Sequence, residues 1–190
     1  MIMLNFLGPF DLCSEANDVP DGCAEKDASG IYLWAFQVNG KYRVTYVGET
    51  GRSFYERTKK HIIQTLGGNY RVCDVTAMLQ GNQEVLWDGL WRKGTRDKLP
   101  EFVKRYAELA PQIKTFLKSQ KVFIAVTDCH QRLRKRIEGA IASSLRSNKT
   151  ASSLLPADIR FRTRQRGETP VMIAITSEWE IEGLPDRIVV

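Results

Sequence analysis

The chain has 190 residues, 43 % of them apolar and 26 % charged, an ordinary globular composition that excludes intrinsic disorder and the fibrous classes. Twenty-eight Lys and Arg against 22 Asp and Glu give a formal net charge of +6, which suits a polyanionic partner without requiring one. No apolar run approaches the roughly 20 residues that span a bilayer, and the start Met1-Ile2-Met3-Leu4 is unlike a secretory signal, so one cytoplasmic domain without a membrane partner is expected.

Residues 1 to 28 read as an acidic N-terminal extension. The uninterrupted apolar and aromatic run Ile31 to Gln37 then reads as a strand covered on both faces, and Tyr42 to Val47 as a second strand. Asn39-Gly40 between them is a strong hairpin signal that leaves two registers open. A two-residue loop pairs Val38 with Lys41 and puts Tyr32 and Tyr46 on opposite faces. A three-residue loop pairs Gln37 with Lys41 and sets Tyr32 opposite Tyr46.

After Gly48, the sequence Ser53-x-x-Glu56 is a capping box that starts a helix at Phe54 and runs to Gly67-Gly68, with Arg57 and His61 one turn apart on one face. Residues 69 to 120 read as a helical insertion. Trp87 and Trp91 stand one turn apart, Val103, Tyr106, Ala110 and Ile113 form an apolar stripe, and Pro111 kinks or divides the helix. Residues 121 to 148 supply a third strand, Lys121 to Thr127, then a helix capped by Asp128 with Leu133, Ile137, Ile141, Ser144 and Leu145 on its core side and Glu138 beside them. In residues 149 to 190, Arg160, Arg162, Arg164 and Arg166 alternate, which on a strand puts four guanidinium groups on one face, and Val171 to Ile175 pairs back through Gly167 to Pro170 as a C-terminal β-hairpin.

The charge is unevenly spread. Residues 30 to 71 carry +5 and residues 129 to 166 carry +8, between ends of −5 (residues 1 to 29) and −4 (residues 167 to 190). Two basic blocks that flank the same candidate chemistry favour a phosphate-binding surface. Cys13, Cys23, Cys73 and Cys129 show no CxxC spacing, and His61 and His130 complete no zinc pattern, so reduced thiols are expected.

Gly30-Ile31-Tyr32, Tyr46-Val47-Gly48 fourteen residues after Tyr32, Arg57 and His61 on the following helix, and Glu138 on a helix after a third strand together resemble the GIY-YIG nucleases. The likeness is close over residues 29 to 66 and looser over 121 to 148, and the second motif reads YVG here. The resemblance implies an α+β fold, a small three-stranded antiparallel sheet flanked by helices, that cleaves a phosphodiester with one divalent cation, Mg²⁺ or Mn²⁺. It implies Glu138 as the metal ligand, Tyr32 as a group that takes the proton of the attacking water, and Tyr46 as the group that positions the water or the phosphate. His61 shares the base role or orients Tyr32, and the choice between the two stays open. Asn148, ten residues after Glu138, stands near where the family usually places an asparagine, and Gly30 and Gly48 allow close backbone approach.

The residue types suit these tasks on their own chemistry. Arg57 forks two hydrogen bonds onto a phosphate and stays charged at any working pH. Glu138 is a hard oxygen ligand of the type that binds Mg²⁺ together with substrate phosphate and water. Arg52, Arg132, Arg134, Lys135, Arg160, Arg162, Arg164 and Arg166 are the candidate DNA-backbone contacts. The lack of a separate targeting module resembles the compact restriction enzymes of the family, for which duplex DNA is the substrate and a homodimer on DNA, or sequential nicking, cuts both strands. A structure-specific or RNA-directed nuclease fits the motif equally, and a catalytically silent nucleic-acid-binding module is the alternative from another class.

Overall fold

The computed structural model describes residues 1–13, 19–91, 97–156 and 162–190. Along the chain the elements are β1 (Ile2–Asp11), β2 (Gly30–Val38), β3 (Lys41–Thr50), α1 (Phe54–Leu66), β4 (Val72–Cys73), α2 (Val75–Leu79), β5 (Val85–Trp87), α3 (Leu99–Ser119), β6 (Lys121–Val126), α4 (Gln131–Ser147), β7 (Met172–Ser177) and β8 (Arg187–Val189). A 3-10 turn, Ala151–Leu154, follows α4.

Strand β2 explains the architecture. Its side chains alternate between two apolar layers: Ile31, Leu33 and Ala35 pack with Ile137, Ile141 and Leu145 of α4, and Tyr32, Trp34 and Phe36 pack with α1 and α3 through Phe54, Ile62, Ile113 and Phe116. Both faces are therefore covered, which is why the run from Ile31 carries no polar alternation. On either side of β2 lie β3 and β6, both antiparallel to it.

The sheet corrects the expectation of a small three-stranded antiparallel sheet. It is a curled mixed sheet of six strands in the order β3-β2-β6-β1-β7-β8. Strand β1, from the stretch read as an extension, pairs antiparallel with β6 and parallel with β7. Its physical basis is a simple alternation: Leu4 and Phe6 are buried while Met3 and Asn5 face out, and the buried pair extends the α4-side core.

The C-terminal part is also corrected. No strand forms over residues 162 to 171, and Arg160 lies outside the described residues. Arg162, Arg164 and Arg166 alternate with polar Thr163 and Gln165, so that segment has no apolar face to bury against the sheet. Strand β7, with Ile173 and Ile175 buried, pairs instead with β1 and with β8.

The region read as a helical insertion holds a two-stranded ribbon, β4 with β5, before its one long helix. Trp87 lies on β5 and not on a helix; its indole N–H donates to the Gly68 carbonyl at 2.6 Å. Helix α3 runs unbroken through Pro111. Its buried side is Phe102, Leu109, Ile113, Phe116 and Leu117, while Val103 and Tyr106 are exposed. Phe102 sets that rotation by stacking 5.2 Å from Trp87 and filling the space a Gly68 side chain would take.

Helix α1 starts on the Ser53 cap, whose hydroxyl accepts from the Glu56 N–H, and ends at Gly67. Helix α4 is capped by the His130 side chain, which accepts from the Leu133 N–H, and not by Asp128. The four cysteines are free thiols. Among the described residues no helix is long and apolar enough to cross a membrane.

Candidate active site

The hairpin turns through Asn39-Gly40 with positive φ at both residues (51° and 82°), a two-residue loop pairing Val38 with Lys41. That loop alone would separate the two tyrosines. A bulge opposite Trp34 and Ala35 shifts the register by one residue, so Trp34 faces Tyr46 and Tyr32 faces Gly48. Neither expected register holds along the whole hairpin. The bulge leaves Thr45 unpaired in the ladder, and its hydroxyl donates to the Trp34 carbonyl at 3.1 Å. Tyr32 and Tyr46 thus share a face with ring centres 5.9 Å apart.

Gly48 is needed where it stands. A Cβ there would lie 2.3 Å from the Tyr32 ring and 2.4 Å from its hydroxyl oxygen. Gly30 is equally confined, against the Ala125 carbonyl on β6. Gly48 therefore serves close packing against Tyr32, and Gly30 close approach of β2 to β6 and to the Phe54 ring.

One turn apart on α1, Arg57 and His61 converge on that phenol. The Arg57 Nε–H donates to the Tyr32 hydroxyl oxygen at 2.9 Å, and His61 Nε2 lies 3.2 Å from the same oxygen. Arginine can only donate, so the three groups are all satisfied when the Tyr32 hydroxyl donates in turn to a neutral Nε2. Burial, helped by Arg57 and Lys60, lowers the His61 pKa to about 3, which keeps it neutral. Burial and the neighbouring Tyr46 push the Tyr32 phenol well above its ordinary range, against the pull of Arg57. Burial opposes the charge on Arg57, but the Tyr32 and Tyr46 phenols outweigh it and hold the guanidinium ionised. Beyond the Nε–H on Tyr32, the Tyr46 phenol is the one further partner of Arg57 among the described side chains. Most donors of its forked end have no hydrogen-bond partner among the described residues.

Glu138 comes from the other face of the sheet, on α4. It makes no hydrogen bond or ion pair with described residues. Burial and the Glu49 carboxylate raise its pKa to about 7, against the opposing pull of Arg57, Lys135 and Arg162. Glu49, the residue after the YVG motif, is itself held by Arg134 of α4 at 3.0 Å, with both side chains almost fully buried. Gly139 lets the backbone of residue 162 come within 2.8 Å of where its Cβ would be. That close approach brings Arg162 to the Glu138 side of α4.

No group of three or more His, Cys, Asp or Glu side chains is gathered as a metal cage among the described residues. A mostly buried carboxylate with no hydrogen bond or ion pair among the described residues does fit a hard divalent cation of the kind that takes its remaining ligands from phosphate and water.

The remaining candidates are placed differently from one another. Arg134 is buried on Glu49, whereas Arg132 grips Glu168 with bonds of 2.7 and 2.9 Å in a partly exposed ion pair. Arg52, Arg162, Arg164 and Arg166 are exposed, and Lys135 is half-buried. Arg164 also donates to the Glu168 carbonyl. Asn148 ends α4 and its side chain accepts from the Thr150 and Ala151 N–H groups, a capping role. Sequence reasoning missed Glu49, Trp34 and Tyr70, which pack against the site. For Glu49 a usable signal existed, a carboxylate adjoining the motif with Arg134 in the first turn of α4.

No family model matches the sequence, no curated protein matches it, and no solved structure matches the fold.

Proposed function

We propose that this chain is a divalent-metal-dependent endonuclease that hydrolyses DNA phosphodiester bonds, acting as a compact, sequence-specific restriction-type enzyme with a GIY-YIG-like site. One observation carries the reading: Arg57, anchored at Nε on Tyr32 with most of its fork uncommitted, acts electrostatically on Glu138, a mostly buried carboxylate with no hydrogen bond or ion pair among the described residues. A cation and a phosphate would complete both groups at once.

When bound at Glu138, the cation supplies Lewis-acid stabilisation of the phosphate and its leaving oxygen. The forked end of Arg57 binds the nonbridging oxygens and stabilises the charge that grows on them in the transition state. Tyr46 orients the substrate on the tyrosine face of the sheet. The attacking water gives its proton to the Tyr32 oxygen while the Tyr32 hydroxyl proton passes to His61 Nε2. Because the two transfers are coupled, no free phenolate forms and the high Tyr32 pKa is no obstacle. The imidazolium so formed is opposed by burial and by Arg57, and the substrate's negative charge offsets that opposition.

Exposed Arg52, Arg162, Arg164 and Arg166 serve as backbone contacts, and a twofold dimer on DNA would bring two such centres to the two strands. The test is incubation of the purified protein with supercoiled and linear duplex DNA in Mg²⁺, Mn²⁺ or EDTA, beside Glu138→Ala and Arg57→Ala. Discrete metal-dependent fragments, lost in both variants, are expected. Metal-dependent cleavage that survives both substitutions would refute the assignment, and DNA binding without cleavage would favour the silent module.

A further inference from the structure

Beside the Tyr32 centre lies a cavity of about 420 Å³ that the proposed hydrolysis does not use. Tyr46 and His61 belong to both: they pack against Tyr32 and also line the cavity. Aromatic rings enter its wall from separate elements, Trp34 from β2, Tyr46 from β3, and Tyr70 and Trp91 from the segments flanking the β4–β5 ribbon. Tyr70 stacks 5.3 Å from His61 at a low tilt and meets Trp91 edge-on at 5.6 Å. Trp91 is more than half exposed, an unusual position for an indole with no structural task.

The wall also holds polar groups without partners. Gln120 is 1 % exposed, and its Nε2 has no hydrogen-bond acceptor among the described residues; the same is true of the Trp34 indole Nε1. Buried donors are normally satisfied, so two in one cavity wall mark a place where a ligand with acceptor atoms belongs. Planar aromatic walls, unsatisfied donors and a volume in the range of small-molecule sites together describe a flat heteroaromatic ring.

We infer that this cavity receives a single unstacked nucleobase of the nucleic-acid strand whose phosphate is held by the fork of Arg57. This inference rests on the phosphodiesterase reading, since the shared walls Tyr46 and His61 put the base next to the scissile phosphate. Trp91 and Tyr70 provide the stacking faces, and Gln120 the hydrogen-bonding edge.

Affinity is measured in EDTA, by fluorescence anisotropy, for short labelled duplexes that carry either a one-nucleotide bulge or an abasic residue at the same bulge. The wild type should bind the bulged base about tenfold more tightly than the abasic bulge. Trp91→Ala and Gln120→Leu should bring that ratio close to one while leaving abasic binding unchanged; Trp91 is exposed, so its removal leaves the fold intact. Equal affinity of the wild type for the two duplexes, no binding to either, or a ratio that survives both substitutions would overturn the inference. Because no cleavage is needed, the two readings fail separately. A base preference without metal-dependent cleavage would leave the cavity assignment standing alone, and cleavage without a base preference would remove only the cavity.

Discussion

The two faces of the sheet carry opposite kinds of chemistry. On the α1 side, Tyr32, Arg57 and His61 form a closed chain of hydrogen bonds, and burial moves the Tyr32 and His61 pKa values away from neutrality in opposite directions. On the α4 side, Glu138 has no hydrogen bond or ion pair among the described residues and its pKa is raised to about 7. A satisfied network fixes geometry, whereas an unsatisfied buried carboxylate is costly until something binds it. On the proposed reading, the α1 face holds the phosphate and moves the proton, and the α4 face captures the cation.

The sharpest way to break this division is Glu138→Gln, which keeps the shape and removes the ligand charge. Cleavage should fall about a thousandfold or more in a single-turnover assay, while DNA affinity is retained. Arg57→Ala should lower the rate by roughly 10²–10³, and Arg57→Lys should rescue little of it because an ammonium has no fork and no Nε to anchor on Tyr32. Tyr32→Phe leaves the Arg57 Nε–H and the His61 Nε2 without their shared oxygen. It should cost about 1–3 kcal/mol in denaturant melts, a loss the α4 face would not show.

Glu138 itself should behave in the reverse sense. Its folded pKa lies above the ordinary carboxyl value of 4.5, so between about pH 4.5 and 7 the native state holds more protons than the unfolded chain. Stability of the metal-free protein should therefore fall as pH rises through that window. Glu138→Gln should remove the slope and stabilise the protein above pH 7 by roughly 2 kcal/mol, allowing for the carboxyl's partial exposure. The smallest effect is expected on the surface. Arg162→Ala with Arg164→Ala should leave the melting temperature unchanged and reduce the salt slope of DNA binding by roughly 0.9 for each phosphate that is no longer neutralised.

Much of the α1 face was legible in the sequence because its signals are local. The Ser53 cap fixes where α1 begins, the four-residue spacing puts Arg57 and His61 on one side, and β2 is apolar from Ile31 to Phe36 because it is covered twice. The shared face of Tyr32 and Tyr46 was not legible. It depends on a bulge at Thr45, which no turn residue announces.

Long-range pairing was hidden as well. Strand β1 meets β7 across most of the chain, and nothing in Met1 to Phe10 states that partner. The arginine alternation misled for a physical reason, since a period of two specifies a strand only when one face is apolar. Likewise, Arg132 and Arg134 look like surface charge in the sequence, and only the fold brings Glu168 and Glu49 to hold them.

The most direct measurement is the single-turnover cleavage rate of duplex DNA against Mn²⁺ concentration at pH 6 and pH 8, for the wild type and Glu138→Gln. If Glu138 captures the cation, metal and proton compete for it. The half-saturating Mn²⁺ concentration should then rise about tenfold from pH 8 to pH 6, and the variant should show no metal-dependent rate. A variant that saturates with Mn²⁺ as the wild type does, or a wild-type half-saturation that ignores pH, would contradict the assignment of ligand capture to Glu138.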